Sequence, residues 1–134
     1  MKLILTSILT LLFAVSTMAH EGHDKMPGTL IAPHGGQIKG TSQLYLELIS
    51  EKSLVKLFAF DHDLKKINVK DLKVEARVSF PKKKTSENLI LKFTDEAIES
   101  LIDAKGAHRF TLHLKIIYKG QTESLSFNVE PQNE

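Results

Sequence analysis

The feature that most constrains this chain is a recurring alternation of apolar and polar residues with a period of two. The clearest case covers residues 72–80, where every even position is apolar and the odd positions are mostly charged or polar. Similar alternation occurs at residues 44–48, 110–118 and 125–129. Successive side chains of a strand point to opposite faces, so this pattern predicts strands with one buried face.

Residues 54–60 are apolar on both faces, which is typical of a central strand. Turn-forming residues separate the segments at 50–53, 61–66, 81–86 and 119–121. About seven short strands joined by short turns predict an all-β fold, an immunoglobulin-like β-sandwich over residues 36–130 with a tail at 131–134.

One short segment departs from the alternation and predicts a helix near residues 94–103. Thr94 is a suitable N-cap, and Asp95 and Glu96 would follow it in the first turn. A stripe of apolar residues follows, and Gly106 would end the helix.

The amino terminus predicts export to the periplasm or the medium. Residues 1–19 have the form of a signal peptide: Lys2 precedes an apolar run of about fourteen residues, and Ala19 ends a small-x-small cleavage site. That run is shorter than the ~20 residues of a membrane-spanning helix, so we expect no stable span after cleavage. Residues 20–35, rich in glycine, proline and histidine, predict a flexible arm.

Composition excludes several classes of function. The chain has no cysteine, which rules out disulfides, thiolate metal sites and cysteine nucleophiles. A formal net charge of +2 provides no strong field for nucleic acid. The sequence also has no nucleophile elbow, phosphate-binding glycine loop or HExxH helix. We therefore expect a protein that is not an enzyme.

A candidate metal site lies at the start of the processed chain. Cleavage after Ala19 would expose an α-amino group beside the imidazole of His20, and the two could chelate one ion. His23 could add a nitrogen and Asp24 an oxygen. Such donors suit Cu(II), Ni(II) or Zn(II), with Cu(II) bound most tightly. The alternative is that these residues form only a solubilising linker.

Three of the four other histidines fall at turns or on the polar face of a strand. His34 lies in a Pro-His-Gly-Gly turn before the first strand, and His62 stands between two aspartates after the central strand. Each is a candidate metal ligand, and each could equally belong to an ordinary turn. His113 falls on the polar face of its strand, where a solvent-facing role is expected.

The segments around the two turn histidines resemble a module of bacterial heavy-metal efflux. The matching stretches are PHGGQI at residues 33–38, LYLELI at 44–49 and VKLFAFDH at 55–62. Together with the histidine-containing leader, they are similar to the β-rich N-terminal module of cobalt–zinc–cadmium-type periplasmic adaptor subunits. The likeness covers roughly residues 20–130 and singles out His34 and His62.

The same resemblance implies a metal ion and a component of a metal-efflux complex as partners. Because the sequence lacks the other domains of an adaptor, it implies an accessory role. A weaker likeness links the expected N-terminal histidine to small copper-resistance sandwiches of the periplasm. The leading hypothesis is an exported accessory that binds copper or zinc, and the alternative is a non-enzymatic interaction or structural module of the envelope that binds no metal.

Overall fold

The computed structural model describes residues 30–131, so the predicted signal peptide and most of the predicted arm and tail lie outside the described residues. Within that range the protein is all-β, as the alternation predicts. The strands are β1 (Gln37–Gly40), β2 (Tyr45–Glu51), β3 (Leu54–Phe60), β4 (Lys73–Ser79), β5 (Glu87–Asn88), β6 (Lys92–Phe93), β7 (Ile98–Leu101), β8 (Phe110–Tyr118) and β9 (Gln121–Val129).

The strands form two antiparallel sheets. Sheet A has the order β1-β2-β3-β7-β6, and sheet B has the order β5-β4-β8-β9. Residues 54–60, the segment that is apolar on both faces, form β3, which pairs with β2 on one side and β7 on the other. Its predicted central position is therefore confirmed.

The inward-facing residues of both sheets contribute to one hydrophobic core. The alternation predicted from the sequence places these residues correctly, since alternate positions of β4, β8 and β9 are buried. Burying one large aliphatic or aromatic side chain contributes roughly 1.5–3 kcal/mol, so this core is the main source of stability. The core includes Leu46, Leu48, Val55, Leu57, Val78, Ile98, Phe110, Leu112, Leu114, Ile116, Phe127 and Val129.

Tight turns fix the register of the hairpins. Lys119 and Gly120 both have positive φ, 48° and 77°, as a type I′ turn requires. This two-residue turn joins β8 to β9 and places Tyr118 opposite Gln121.

Side chains of β1 bridge the two sheets along one edge of the molecule. Lys39 donates from Nζ to the carbonyl of Ser126 at 2.5 Å, and Gln37 donates from Nε2 to the carbonyl of Asn128 at 3.0 Å. These carbonyls belong to β9, so the free edges of β1 and β9 are held together without direct pairing of their backbones.

The predicted helix near residues 94–103 is wrong. Thr94 does cap a local structure, but that structure is a turn in which its N–H donates to the carbonyl of Ala97 at 2.9 Å. The Ala97 N–H returns a bond to the Thr94 hydroxyl at 3.0 Å. The chain then pairs with β3 as β7, which buries Ile98 and Ser100 at alternate positions. Pairing with the edge of β3 therefore overrides the weak local preference for a helix.

Among the described residues the one helical element is a 3₁₀ turn at Val69–Asp71, capped by the Asn68 side chain, which accepts a bond from the Lys70 N–H. Over the same range, no helix is both long enough and apolar enough to cross a membrane.

Candidate histidine–carboxylate site

The outer face of sheet A is apolar at one end, although outward positions normally meet solvent. Phe58 and Phe60 project to this face from β3 and are buried, with 9% and 4% of their surfaces exposed. Across the strand pair, Glu47 lies opposite Phe58 and Tyr45 lies opposite Phe60. Ala97, together with the partly buried Ile49 and Leu64, packs against the same cluster.

The loop before β1 reaches this apolar face through a glycine-dependent turn. The Gly35 N–H donates to the Ala32 carbonyl at 3.0 Å, and Gly35 adopts a φ of 76°, which favours glycine. Gly36 is required for a different reason, since a Cβ there would lie 2.2 Å from the Leu48 carbonyl oxygen. The two glycines allow the loop to contact the backbone of β2 directly.

Glu47 is the centre of the site. Its side chain has 0% exposure, and it is the one charged residue in the buried set of residues 30–131. Oε1 accepts bonds from the backbone N–H groups of His34 at 2.8 Å and Gly36 at 2.9 Å. Convergent N–H groups around a residue of left-handed conformation form an anion-binding concavity. The loop therefore encloses the carboxyl group of Glu47.

The second carboxyl oxygen of Glu47 contacts the imidazole of His34. Nδ1 of His34 lies 2.9 Å from Oε2, and the ring stacks on Phe58 with centroids 3.9 Å apart and planes inclined by 18°. The His34 side chain remains 43% exposed, and within residues 30–131 no hydrogen bond reaches its Nε2. One ring nitrogen is thus bonded within the site, and the other has no bonded partner in the described part of the chain.

His62 borders the same face with the opposite nitrogen engaged. Its Nε2 lies 3.0 Å from the Ser42 carbonyl oxygen, which can only accept, so Nε2 is the donor in this contact. The ring makes an edge contact with Tyr45 at 5.0 Å. Ser42 also donates from its hydroxyl and N–H to Glu123, which holds the pKa of that carboxyl group below its usual value.

Of the two aspartates beside His62, Asp61 stabilises the turn with its side chain. Oδ1 of Asp61 accepts from the N–H groups of Asp63 and Lys65, each at 2.9 Å. This use of Asp61 is typical of an Asx turn, one of the two interpretations that the sequence left open.

The structure places the predicted ligands in two groups. His34 and His62 lie at the aromatic end of sheet A, whereas His20, His23 and Asp24 lie outside the described residues. Over residues 30–131 no cluster of three or more histidine, aspartate or glutamate side chains could hold a metal ion. A complete ligand set would therefore need donors beyond the described part of the chain.

Sequence reasoning missed Glu47, which looked like an ordinary polar residue on the solvent face of its strand. A signal was available in the neighbouring segment: Phe58 and Phe60 make the outer face of β3 apolar, so something must cover it. A carboxylate on the adjacent strand would be covered as well, and it would then need donors from the covering loop.

The comparisons with known proteins give no assignment: no family model, no curated protein and no solved structure matches this chain. The resemblance to efflux adaptor modules stays a prediction from the residues. Function must be argued from the site itself.

Proposed function

We propose that the protein is an exported metal-binding accessory of a heavy-metal resistance or efflux system, with Cu(II) or Zn(II) as its cargo. The observation that carries the proposal is the pairing of His34 with Glu47. Histidines that bind metals usually donate their second ring N–H to a carboxylate, carbonyl or water, and this bond orients the ring. His34 has such a partner in Glu47.

The chemistry of the remaining candidates is compatible with this role. His62 also has one nitrogen bonded to an oxygen acceptor, which leaves Nδ1 available. The α-amine and His20 of the processed chain, with His23 and Asp24, would supply the donors that the described residues lack. Amine and imidazole nitrogens without thiolate favour Cu(II) over Zn(II).

The test is calorimetric titration of the processed protein with Cu(II), Zn(II) and Ni(II) at neutral pH, after mass spectrometry has established its first residue. We expect binding of at least one ion. Replacing His20 and His23 with alanine should weaken it, and so should His34→Ala, by on the order of tenfold or more.

His113→Ala is the matched control, because it removes an imidazole from the opposite sheet. Its affinity should equal that of the wild type. The proposal would be refuted if none of the three ions gave a heat of binding. If His34→Ala and His113→Ala lost metal affinity equally, His34 would no longer be a candidate ligand.

A second candidate function is an envelope interaction module that binds an extended apolar segment of another protein. The observation that favours it is a cleft of about 670 Å³ between the sheets on the side of β5 and β7. Ile90 and Leu101 line this cleft with 92% and 75% of their surfaces exposed. Strand β6 pairs with β7 at Ile98 and Glu99, and beyond them the outer edge of β7 pairs with no other described strand.

Site-specific photo-crosslinking separates this candidate from the metal hypothesis. A photoreactive residue at position 101 should yield one defined adduct in the envelope that Ile90→Glu abolishes. The same residue at position 75, on the exposed face of sheet B, is the control. Adducts of equal yield at both positions would exclude the cleft.

We also infer that the fold is immunoglobulin-like. The order β2-β3-β7-β6 corresponds to strands A-B-E-D of that fold, and β5-β4-β8-β9 corresponds to C′-C-F-G. Strand β1 is then an addition before strand A. Strand pairings measured by NMR would test this inference, and a β3 that pairs with any strand other than β2 and β7 would contradict it.

A further inference from the structure

We propose that Glu47 is a positioning residue that fixes the imidazole of His34 in the tautomer protonated at Nδ1, so that Nε2 presents its lone pair to a metal ion. This inference rests on the proposed metal-binding function and concerns the same site. Nothing in the sequence pattern of β2 assigns such a role to Glu47.

The two oxygens of Glu47 have separate partners. Oε1 receives the N–H groups of His34 and Gly36, at 2.8 and 2.9 Å. These two bonds set the rotation of the carboxyl group, so Oε2 is directed at Nδ1 of His34, 2.9 Å away. A carboxylate only accepts hydrogen bonds, so the proton between these two atoms belongs to Nδ1.

The ring cannot turn easily to offer its other nitrogen. Phe58 stacks against the imidazole at 3.9 Å with an inclination of 18°, and Phe60 lies 6.0 Å from it on the same side of sheet A. The plane of the ring is set by this stacking, and its direction is set by Glu47. Nε2 is then the ring nitrogen available at a side chain that is 43% exposed.

If Glu47 only holds the loop in place, the experiments below should give a different result than if it is a positioning residue. Both would hold the loop on β2 through the two backbone N–H groups. Only a positioning residue requires that the group facing Nδ1 be an acceptor. Glu47→Gln separates the two roles, since the amide oxygen can replace Oε1 while the amide N–H₂ replaces Oε2.

The first experiment needs no metal and no variant. Long-range ¹H–¹⁵N correlation spectra of the imidazoles in the wild-type processed protein report which nitrogen is protonated. We expect Nδ1–H for His34. An Nε2–H tautomer for His34 would overturn the proposal.

The second experiment compares Glu47→Gln with the wild type by the same spectra and by titration with Cu(II) or Zn(II) alone. In the variant, the amide N–H₂ should face Nδ1 and shift the proton to Nε2. Metal affinity should then fall on the order of 10–100-fold, as expected when an orienting partner is lost. Glu75→Gln, on the exposed face of sheet B, should change neither the spectra nor the affinity.

The outcomes distinguish this proposal from the function on which it rests. If the wild type binds no metal, the proposed function fails. If the wild type binds metal and Glu47→Gln binds it equally well after the tautomer has changed, the function stands and the positioning role is refuted. Protection of the Gly36 amide from hydrogen exchange checks that the loop remains in place in the variant.

Discussion

Two histidines on the outer faces of the two sheets show how differently one residue type can be used. On sheet A, His34 bonds a fully buried carboxyl group through Nδ1 and stacks on Phe58. On sheet B, His113 lies in an exposed row, with Nε2 2.8 Å from the Ser79 hydroxyl and Nδ1 3.1 Å from the Ser126 hydroxyl.

The two histidines differ in whether their partners can both donate and accept hydrogen bonds. A hydroxyl group donates or accepts, so the serines around His113 adapt to either tautomer. A carboxylate only accepts, so Glu47 selects one tautomer of His34. Water can also replace the serines on an exposed face, whereas the groups around Glu47 have no such substitute. The comparison teaches that the freedom of an imidazole depends on whether its partners can both donate and accept, rather than on the number of those partners.

The largest expected effect comes from removing the buried carboxyl group. Glu47→Ala leaves the N–H groups of His34 and Gly36 without an acceptor and opens a cavity, so we expect the free energy of unfolding to fall by about 3–5 kcal/mol. Urea denaturation at neutral pH measures this loss. Glu75→Ala is the control, since Glu75 is 74% exposed and lies 3.7 Å from Lys115, and it should change stability by less than about 0.5 kcal/mol. Similar losses in the two variants would show that the site on sheet A has no special energetic role.

The next effect concerns the contact of the loop with β2. Gly36→Ala places a Cβ 2.2 Å from the Leu48 carbonyl oxygen, so the loop must move away from the strand. We expect a loss of about 2–3 kcal/mol by thermal or urea denaturation, as for other overpacked sites. Gly35→Ala is the control: its Cβ meets no atom within 4 Å, and its cost of about 1 kcal/mol comes from the positive φ alone. If Gly36→Ala were as stable as Gly35→Ala, this would contradict the close approach of the Gly36 backbone to the Leu48 carbonyl oxygen.

A direct test of the comparison replaces each histidine in turn. His34→Ala removes the donor to Oε2 of Glu47 and the ring that covers Phe58, so we expect a loss of about 1–2 kcal/mol. His113→Ala should cost less than about 0.5 kcal/mol, because water can bond Ser79 and Ser126. Both values come from urea denaturation at pH 7. Equal losses would mean that the two outer faces are energetically alike.

The sequence predicted the strands well because the pattern that defines them is local. Residues 72–80 alternate strictly, and β4 forms there with its apolar positions inward. The segment at 94–103 failed because its outcome depends on a distant strand: Ile98 pairs with Leu57, and no local signal reveals that edge. Long-range pairing overrides local propensity where the local preference is weak.

The candidate site was predicted in part for a similar reason. His34 and His62 could be found because histidines at glycine- or aspartate-rich turns stand out in a sequence. Glu47 does not stand out in its own segment, because its burial depends on a loop that begins more than ten residues earlier and folds over β2. The one signal for it is indirect and lies in the apolar outer face of β3. The partner of a histidine is set by tertiary contacts, and the alternation of one strand carries no information about them.

The smallest expected effect sharpens the contrast between a buried and an exposed carboxylate. Glu87, on the edge strand β5, lies 2.9 Å from Nζ of Lys105 and 3.1 Å from Nζ of Lys83, and these ammonium groups hold its pKa below the usual value of 4.5. A carboxyl group whose pKa is lower in the folded state stabilises the fold above the unfolded value and loses that contribution as pH falls through the folded value. Wild type should therefore exceed Glu87→Gln in stability at pH 7, and the difference should be smaller at pH 3 and in high salt. Urea midpoints at both pH values measure it. A difference that is as large at pH 3 as at pH 7 would mean that Glu87 acts through its packing. If the difference at pH 7 were as large as the loss in Glu47→Ala, two lysine side chains would stabilise a carboxylate as strongly as the enclosing backbone N–H groups do. The partial exposure of Glu87, whose side chain is 44% accessible to solvent, argues against this result.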